Sequence, residues 1–197
     1  MLKIGTKYNI SPINLDYCIK IGTERNTRNI KAGIIEQKTQ IKKSGVDISI
    51  QGVIGEFCMM DLLRLDKSEL NDTTPRSRKT DQGDFIFNGL KFDVKCAEGG
   101  HHWPLKVRSQ NKEFPANIYV LCTMIRLNKS FRTPEDVHIC TYKPDENIEL
   151  IYQGCVTSDQ IFNFKYRRGM DYFYPQEKLI ELEEAVNIKP LPKITFF

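Results

Sequence analysis

The sequence predicts a mixed fold of the α/β (α+β) class, in which helices flank a central mixed β-sheet. Residues 45–65 are apolar on nearly every side between Val53 and Leu65, a pattern typical of a buried helix. Asn88-Gly89 separates two apolar runs, which is the strongest short-range signal of a β-hairpin. Further β-prone segments follow, so strands and helices both occur in this chain of 197 residues.

The composition is that of a soluble globular protein, with 40% hydrophobic and 27% charged residues. The apolar runs are too short for a transmembrane helix, and we expect no secretory signal. None of the six cysteines forms a CxxC pair and most lie in apolar runs, so we expect buried free thiols and a cytoplasmic location. The net charge of +4 permits a polyanionic partner without requiring one.

The N-terminal part is predicted to be helical. Residues 14–43 have a mixed, helix-compatible pattern. Ser44, with an acid at Asp47, resembles the N-cap of the helix at 45–65. Residues 66–83 are polar and predict a loop.

The rest of the chain is predicted to be rich in strands. The hairpin occupies 85–87 and 90–92, and its Asn-Gly loop fits a type I′ turn, in which both central residues have positive φ. Further elements are predicted as follows: strands at 117–125, 136–142 and 148–156, a short helix capped by Ser158, and an irregular tail from Tyr166 that is weakly helical around 176–185.

The hairpin register places two carboxylates side by side. A two-residue loop sets Asp84 opposite Asp93, and the alternation of side chains puts Lys95 on the same face as Asp93. Like charges directly opposite each other destabilise a sheet, so they need a compensating cation. Lys95 provides one, and a divalent metal would neutralise the pair more fully. The alternative is a solvated face of alternating charge.

Glu56 is the third acid that needs an explanation. It lies within the predicted buried helix, and no cation occurs three or four positions away on that helix. A buried carboxylate requires a partner or becomes protonated. The alternatives are that this end of the helix is more exposed or that a distant lysine pairs with Glu56. Gly52 and Gly55 flank Glu56 and would let the helix approach a sheet or a substrate closely.

Taken in order, Gly55-Glu56 in a helix, Gly83-Asp84 entering a hairpin and Asp93-Val94-Lys95 in the next strand resemble the PD-(D/E)XK nuclease superfamily. This superfamily includes type II restriction endonucleases and Holliday-junction resolvases. The resemblance covers residues 45–125 best. Gln82-Gly83 stands where the motif name has proline, and Asp93 stands where glutamate is commoner.

The resemblance implies a restriction-endonuclease-like core and a catalytic set of Glu56, Asp84, Asp93 and Lys95. Asp84 and Asp93 would bind a metal, the Val94 carbonyl would add a ligand, and Glu56 would bind directly or through water. Oxygen-only ligands favour Mg²⁺ or Mn²⁺ over Zn²⁺. Lys95 would orient or deprotonate water, or hold the phosphate.

Basic residues outside this set are candidates for nucleic-acid binding, although solvated loops and surface helix ends explain them equally well. They are Arg76, Arg78, Lys79, Lys106, Arg108, Lys165, Arg167 and Arg168. The run from Lys165 to Arg168 also includes Tyr166, and basic residues with aromatic rings are typical of single-strand binders. His101-His102-Trp103 is more simply explained as an exposed loop.

The expected function is therefore a metal-dependent endonuclease, with DNA a better candidate substrate than RNA and with no membrane partner. We expect one nuclease domain over 1–197, with its catalytic core at about 45–125, a helical region at 1–44, and C-terminal strands and a tail at 126–197. A homodimer would be needed for concerted cutting of both DNA strands. The alternatives are an RNA endonuclease, a non-cleaving nucleic-acid-binding protein of the same fold, and a structural protein in which the acids are incidental.

Overall fold

The computed structural model describes residues 2–33, 44–71, 83–99, 103–113, 115–127, 140–169 and 171–188. Within these residues lie eight strands and four α-helices. The strands are β1 (Lys7–Asn9), β2 (Phe85–Phe87), β3 (Leu90–Glu98), β4 (Leu105–Arg108), β5 (Ile118–Arg126), β6 (Ile148–Thr157), β7 (Arg167–Arg168) and β8 (Asp171–Tyr174). The helices are α1 (Pro12–Lys31), α2 (Gly45–Leu62), α3 (Ser158–Asn163) and α4 (Leu182–Asn187).

The central sheet has five strands in the order β1-β6-β5-β3-β2. β3 and β5 are parallel, and the other neighbours are antiparallel. A mixed sheet with helices packed against it confirms the predicted α/β (α+β) class at this level.

Helices α1 and α2 form a layer on one face of the central sheet. Glycines set how closely they pack, because a Cβ on Gly22 of α1 would lie 2.6 Å from the Ile50 Cα of α2. A Cβ on Gly55 would similarly lie 2.8 Å from the Cβ of Cys96 on β3. Every residue from Val53 to Met60 is buried, which confirms the predicted buried helix.

A small sheet and α3 cover the other face. The small sheet has the strand order β4-β8-β7. Alternate residues of β5 point to the two faces: Val120 packs with the helical layer, whereas Tyr119 and Leu121 pack with Leu105 and Tyr172 of the small sheet. The central sheet is therefore buried on both sides, and strand β5 is apolar from Ile118 to Cys122.

The hairpin has the predicted register. Phe85 pairs with Phe92 and Phe87 with Leu90. Asn88 has φ 50° and Gly89 has φ 75°, as a type I′ turn requires. The stacked rings of Phe85 and Phe92, with centroids 5.3 Å apart, face the helical layer.

Helix boundaries differ from the predictions by a few residues. α2 has Ser44 as its N-cap, as predicted, but it ends at Leu62, where Arg64 adopts a left-handed φ of 57°. α3 is capped by Thr157 rather than by Ser158, because Thr157 and Gln160 form a capping box one residue earlier. Of the predicted helical region 14–43, residues 34–43 lie outside the described residues, and α1 covers most of the rest.

Four short strands were not predicted: β1, β4, β7 and β8. Each has only two to four residues, too few for a clear period-two pattern. The predicted irregular tail is therefore wrong where β7 and β8 form. The predicted strand at 136–142 is also wrong at residues 140–142, which form no strand; residues 136–139 lie outside the described part of the chain.

A buried charge network explains why residues 140–142 leave the sheet. The Arg126 guanidinium donates to Glu146 Oε1 at 2.5 Å and to the Thr141 carbonyl at 2.8 Å. The Thr141 amide and hydroxyl donate in turn to both oxygens of Asp47, at 2.9 and 2.8 Å. The guanidinium carbon also lies 3.9 Å from the Tyr142 ring centroid. Residues 140–142 thus hydrogen-bond to side chains rather than to a strand.

All six cysteines are free thiols, and four of them are buried, as the sequence predicts. None of the described helices is both long and apolar enough to cross a membrane.

The contact between Gly55 and Cys96 leads to a first prediction. Gly55→Ala should lower the free energy of unfolding by about 1–3 kcal/mol, because the new methyl group has no room between α2 and β3. Gly52→Ala is the matched control, since its Cβ would meet only Glu56 Oε1, at 3.9 Å. It should stabilise the helix by about 0.5–1 kcal/mol. Urea denaturation of both variants tests the pair, and equal effects would contradict the packing argument.

Candidate active site

The candidate site lies where the chain enters the hairpin at Asp84. Gly83 has φ +83°, and a Cβ there would lie 2.6 Å from the Phe92 carbonyl oxygen, so this position requires glycine. The Asp84 amide donates to that same carbonyl at 2.6 Å. The backbone thus holds Asp84 against β3, next to the last residue pair of the hairpin, Phe85 and Phe92.

The Asp84 carboxylate closes the open edge of β3. Strand pairing between β2 and β3 ends at Phe85, and the amide of Val94 donates to Asp84 Oδ2 at 2.6 Å. The N–H and C=O of one strand residue point to the same side. The Val94 carbonyl therefore faces the Asp84 edge, where the resemblance places a metal ligand.

Asp93 and Lys95 lie on the face of β3 that the small sheet covers. In the parallel register with β5, Asp93 is beside Tyr119 and Lys95 is beside Leu121. Lys95 Nζ lies 2.5 Å from Asp93 Oδ1. Asn111, just after β4, donates to Asp93 Oδ2 at 3.4 Å. Asp93 is 4% exposed, so both of its oxygens face protein groups.

Glu56 is paired from a neighbouring helix. Arg25 of α1 donates through Nη1 to Glu56 Oε1 at 2.7 Å, and its Nη2 also donates to the Leu70 carbonyl at 3.3 Å. Glu56 Oε2 lies 2.7 Å from Arg25 Nη2 but, among the described residues, it accepts no well-directed hydrogen bond. Glu56 therefore has a partner that is distant along the chain, as one alternative predicted, but this partner is Arg25 and not a lysine.

The charges of Glu56 and Asp93 both act on Asp84. Burial is the largest cause that raises the pKa of Asp84 well above its ordinary value, followed by the negative charges of Glu56 and then Asp93. Lys95 and the Val94 amide lower the same pKa, but by less. A carboxyl whose neighbours are two carboxylates lies where a further positive charge is favourable.

The acids do not form a closed metal cage as they stand. Within the described part of the chain, no three acidic, histidine or cysteine side chains converge closely enough to hold a metal ion. Protein groups hold each carboxylate instead: Lys95 holds Asp93, Arg25 holds Glu56, and the Val94 amide holds Asp84. The donor set of oxygens nevertheless suits Mg²⁺ or Mn²⁺, and binding would require Asp93 to exchange Lys95 for the ion.

Sequence reasoning missed two residues of the site, Arg25 and Asn111. Arg25 follows Gly22 by three positions, so both lie on the side of α1 that faces α2. That glycine, within an otherwise mixed helix, was the available signal. No sequence signal pointed to Asn111. It belongs to a 3₁₀ turn that comes close to Asp93 only in the folded chain.

Five of the eight predicted basic residues lie within the part of the chain that the structure describes. Arg76, Arg78 and Lys79 are outside the described residues, as are His101 and His102. The others lie on or beside the small sheet: Lys106 and Arg108 on β4, and Lys165, Arg167 and Arg168 at β7. Lys106 Nζ lies 2.8 Å from Asp171 Oδ2 of β8.

The comparisons with known proteins give a family without an assigned activity. One family model matches residues 1–189, and it describes a family of unknown function, DUF5843. No curated protein matches the chain, and neither does any solved structure. The activity therefore has to be argued from the geometry of the site.

The raised pKa of Asp84 leads to a second prediction. A carboxyl with a raised pKa in the folded state binds its proton more tightly there than when unfolded, so stability falls as the pH rises above about 4 and through the folded pKa. In Asp84→Asn the side-chain oxygen can still accept the Val94 amide. Because asparagine does not ionise, this variant does not lose stability in this way as the pH rises. In EDTA the variant should be more stable than the wild type at pH 8, and the difference should vanish towards pH 4.

Urea denaturation at pH 4 and pH 8 measures this difference. Asp145→Asn is the control, because Asp145 is an exposed residue in a turn. It should change stability by no more than roughly 0.5 kcal/mol at either pH. A wild type that matches Asp84→Asn in stability at pH 8 would contradict the proposed crowding of negative charge.

Proposed function

The chain belongs to the DUF5843 family of unknown function, and we propose that it is a metal-dependent endonuclease of the PD-(D/E)XK type that cleaves DNA. One observation carries the proposal: Asp84 is under the influence of both Glu56 and Asp93, and Lys95 lies 2.5 Å from Asp93. Three acids and a lysine thus meet at one edge of a sheet, in the order along the chain that the superfamily uses.

The fold supports the proposal without identifying the superfamily. The acids are presented by a helix and a hairpin next to a mixed sheet with a parallel pair, β3 and β5. Gly55 brings the Glu56 helix against β3, and Gly83 turns Asp84 towards the same strand. Each candidate residue is thus positioned by a rigid element, as a catalytic group requires.

The chemistry divides among the chain's own residues. A bound Mg²⁺ or Mn²⁺ lowers the pKa of water and neutralises the charge that develops on the phosphate. Asp84, Asp93 and the Val94 carbonyl would hold that ion, and Glu56 would hold it through water or bind a second ion. Lys95, released from Asp93, would hold the phosphate or orient the attacking water. Arg25 keeps Glu56 in place.

A structural role for the same residues is the competing function, because each acid already has a partner. Lys95 and Arg25 hold Asp93 and Glu56 by ion pairs, which a protein could use for packing alone. The two functions predict different results when Lys95 is removed. In a structural role Asp93 serves only to pair with Lys95, whereas in a metal site Asp93 still binds the ion without Lys95.

Metal binding gives a third prediction. Calorimetry should show that the wild type binds Mn²⁺, and that Asp93→Asn binds it at least about tenfold more weakly because a charged ligand is lost. Lys95→Ala should bind Mn²⁺ as tightly as the wild type or more tightly, because Asp93 no longer has to give up an ion pair. Its cleavage of DNA should nevertheless fall by about 10²-fold or more.

Lys91→Ala is the matched control, because Lys91 lies on β3 two residues before Asp93 and is partly exposed. It should retain both Mn²⁺ binding and cleavage. Cleavage of plasmid in EDTA, or full activity of Asp93→Asn, would refute the mechanism. Loss of Mn²⁺ binding in Lys95→Ala would favour the structural role.

The number of sites leads to a fourth prediction. The described residues hold one such set of Asp84, Asp93 and Lys95, and one set aligns one water with one phosphate. A monomer should therefore nick supercoiled plasmid before it makes linear product. Concerted cutting of both strands should require a homodimer.

A plasmid time course alongside light scattering tests this order of products. Nicked plasmid should accumulate at protein concentrations where the chain is monomeric. A monomer that yields linear plasmid with no nicked form at any time would contradict cleavage by a single site.

A further inference from the structure

The outward face of the small sheet carries an unusual mixture of side chains. Val107 of β4 and Tyr172 of β8 point inward and are buried. By the alternation of strand side chains, their neighbours Lys106 and Phe173 point outward. The Phe173 ring lies 5.9 Å from the Tyr166 ring between centroids, and Lys106 Nζ lies 5.8 Å from the Phe173 centroid.

Strand register arranges the outward side chains in two rows. Lys106 pairs with Phe173, and the Phe173 amide donates to the Tyr166 carbonyl at 3.2 Å. The first row is therefore Lys106, Phe173 and Tyr166. The second row, two residues further along each strand, is Arg108, Asp171 and Arg168. The rows lie about 7 Å apart, because a strand rises about 3.4 Å per residue.

The first row is aromatic and accessible. Tyr166 is 59% exposed, and Trp103, just before β4, is 42% exposed. They are the two exposed aromatic side chains among the described residues, and both border the small sheet. A groove of about 200 Å³ begins at this row. Its lining residues are Pro104, Tyr166, Phe173, Pro175, Gln176 and Glu177.

The second row is positively charged. Arg108 and Arg168 flank the single acid Asp171, which lies 2.8 Å from Lys106 Nζ. The two rows together hold three cations and one carboxylate. Arg167, between Tyr166 and Arg168, points to the other face, where its guanidinium carbon lies 4.6 Å from the Tyr172 ring centroid. The surface is thus complementary to an anionic partner that also has flat apolar groups.

The second row leads to the candidate active site. Arg108 ends β4, and Asn111, three residues later, donates to Asp93. The Cα atoms of Arg108 and Asn111 therefore lie at most about 10 Å apart, so the second row ends close to the residue that contacts Asp93. Rings also connect the two places inside the protein, since Tyr119, beside Asp93, contacts Phe162, and Phe162 contacts Tyr172.

We infer that the outward face of the small sheet binds single-stranded nucleic acid, with unpaired bases stacked on Tyr166 and Phe173 and phosphates held by Arg108 and Arg168. As a statement about substrate, this rests on the proposed nuclease function, since it supplies a single-stranded segment to the site at Asp84 and Asp93. Stacking on rings does not depend on base identity, so binding should show little sequence preference.

Fluorescence anisotropy in EDTA tests the inference without any cleavage. The probes are labelled 12-mers of dT and of rU, which distinguish DNA from RNA, and a 12-base-pair duplex. Wild-type protein should bind at least one single strand more tightly than the duplex. Tyr166→Leu should weaken that binding about tenfold, whereas Tyr166→Phe should retain it, because the ring and not the hydroxyl supports stacking.

A salt titration separates the two rows. Arg168→Ala should reduce the slope of log K against log salt by about 0.7, the value for one phosphate contact with a single strand. Tyr166→Leu should leave that slope unchanged. Lys31→Ala is the control, because it removes one exposed charge at the end of α1, in the layer on the opposite face of the sheet. It should leave the slope and the affinity within twofold of the wild type. Thermal melting checks that each variant is folded.

Equal binding by wild type and Tyr166→Leu would overturn the inference, as would tighter binding to duplex than to either single strand. A wild type that binds neither single strand would overturn it too, and would leave the exposed rings to a protein partner. None of these outcomes affects Mn²⁺ binding at Asp84 and Asp93, so the nuclease proposal is judged separately by calorimetry. Loss of Mn²⁺ binding with intact single-strand binding would instead refute the nuclease and retain this surface.

Discussion

Burial of the Asp84 carboxyl close to two other acids is the constraint on which the surrounding structure depends. Glu56 and Asp93 both raise the pKa of Asp84. Arg25 crosses from α1 to hold Glu56, and Lys95 holds Asp93 from the same strand face. Glycines allow this arrangement, since Gly22 lets α1 approach α2 and Gly55 lets α2 approach β3. Removing one of these acids would leave its basic partner without its counter-charge, which is costly for a buried pair.

The parts of the fold that follow from local rules could be predicted from the sequence. The Asn88-Gly89 turn fixes the register of its hairpin, and the register fixes which residue lies opposite Asp84. The apolar run within α2 shows its burial without any knowledge of its neighbours. In these cases the interaction that determines the structure is between residues close together along the chain. A local sequence pattern is therefore enough to predict it.

Other features depend on partners that are distant along the chain. Arg25 and Glu56 are 31 residues apart, and Gly22, three positions before Arg25, is the one local sign that α1 packs closely against α2. The strands of the small sheet are too short to have a recognisable pattern, and β4 pairs with β8 across more than sixty residues. The predicted strand at 136–142 failed at its end for a related reason, because the Arg126 network takes the polar groups of Thr141. Tertiary contacts, and not local preference, decide these elements.

Because of the buried Arg126 network, the number of residues between β5 and β6 has little effect on the stability of the core. Arg126 is the last residue of β5, and the chain is held on both sides of the next segment through Thr141, Glu146 and the Asn147 carbonyl, which accepts the Leu127 amide at 3.1 Å. With both ends fixed in this way, doubling the number of intervening residues costs only about 0.6 kcal/mol of closure entropy. An insertion between Leu127 and Cys140 should therefore cost the core little, because the contacts that close this segment involve residues outside it.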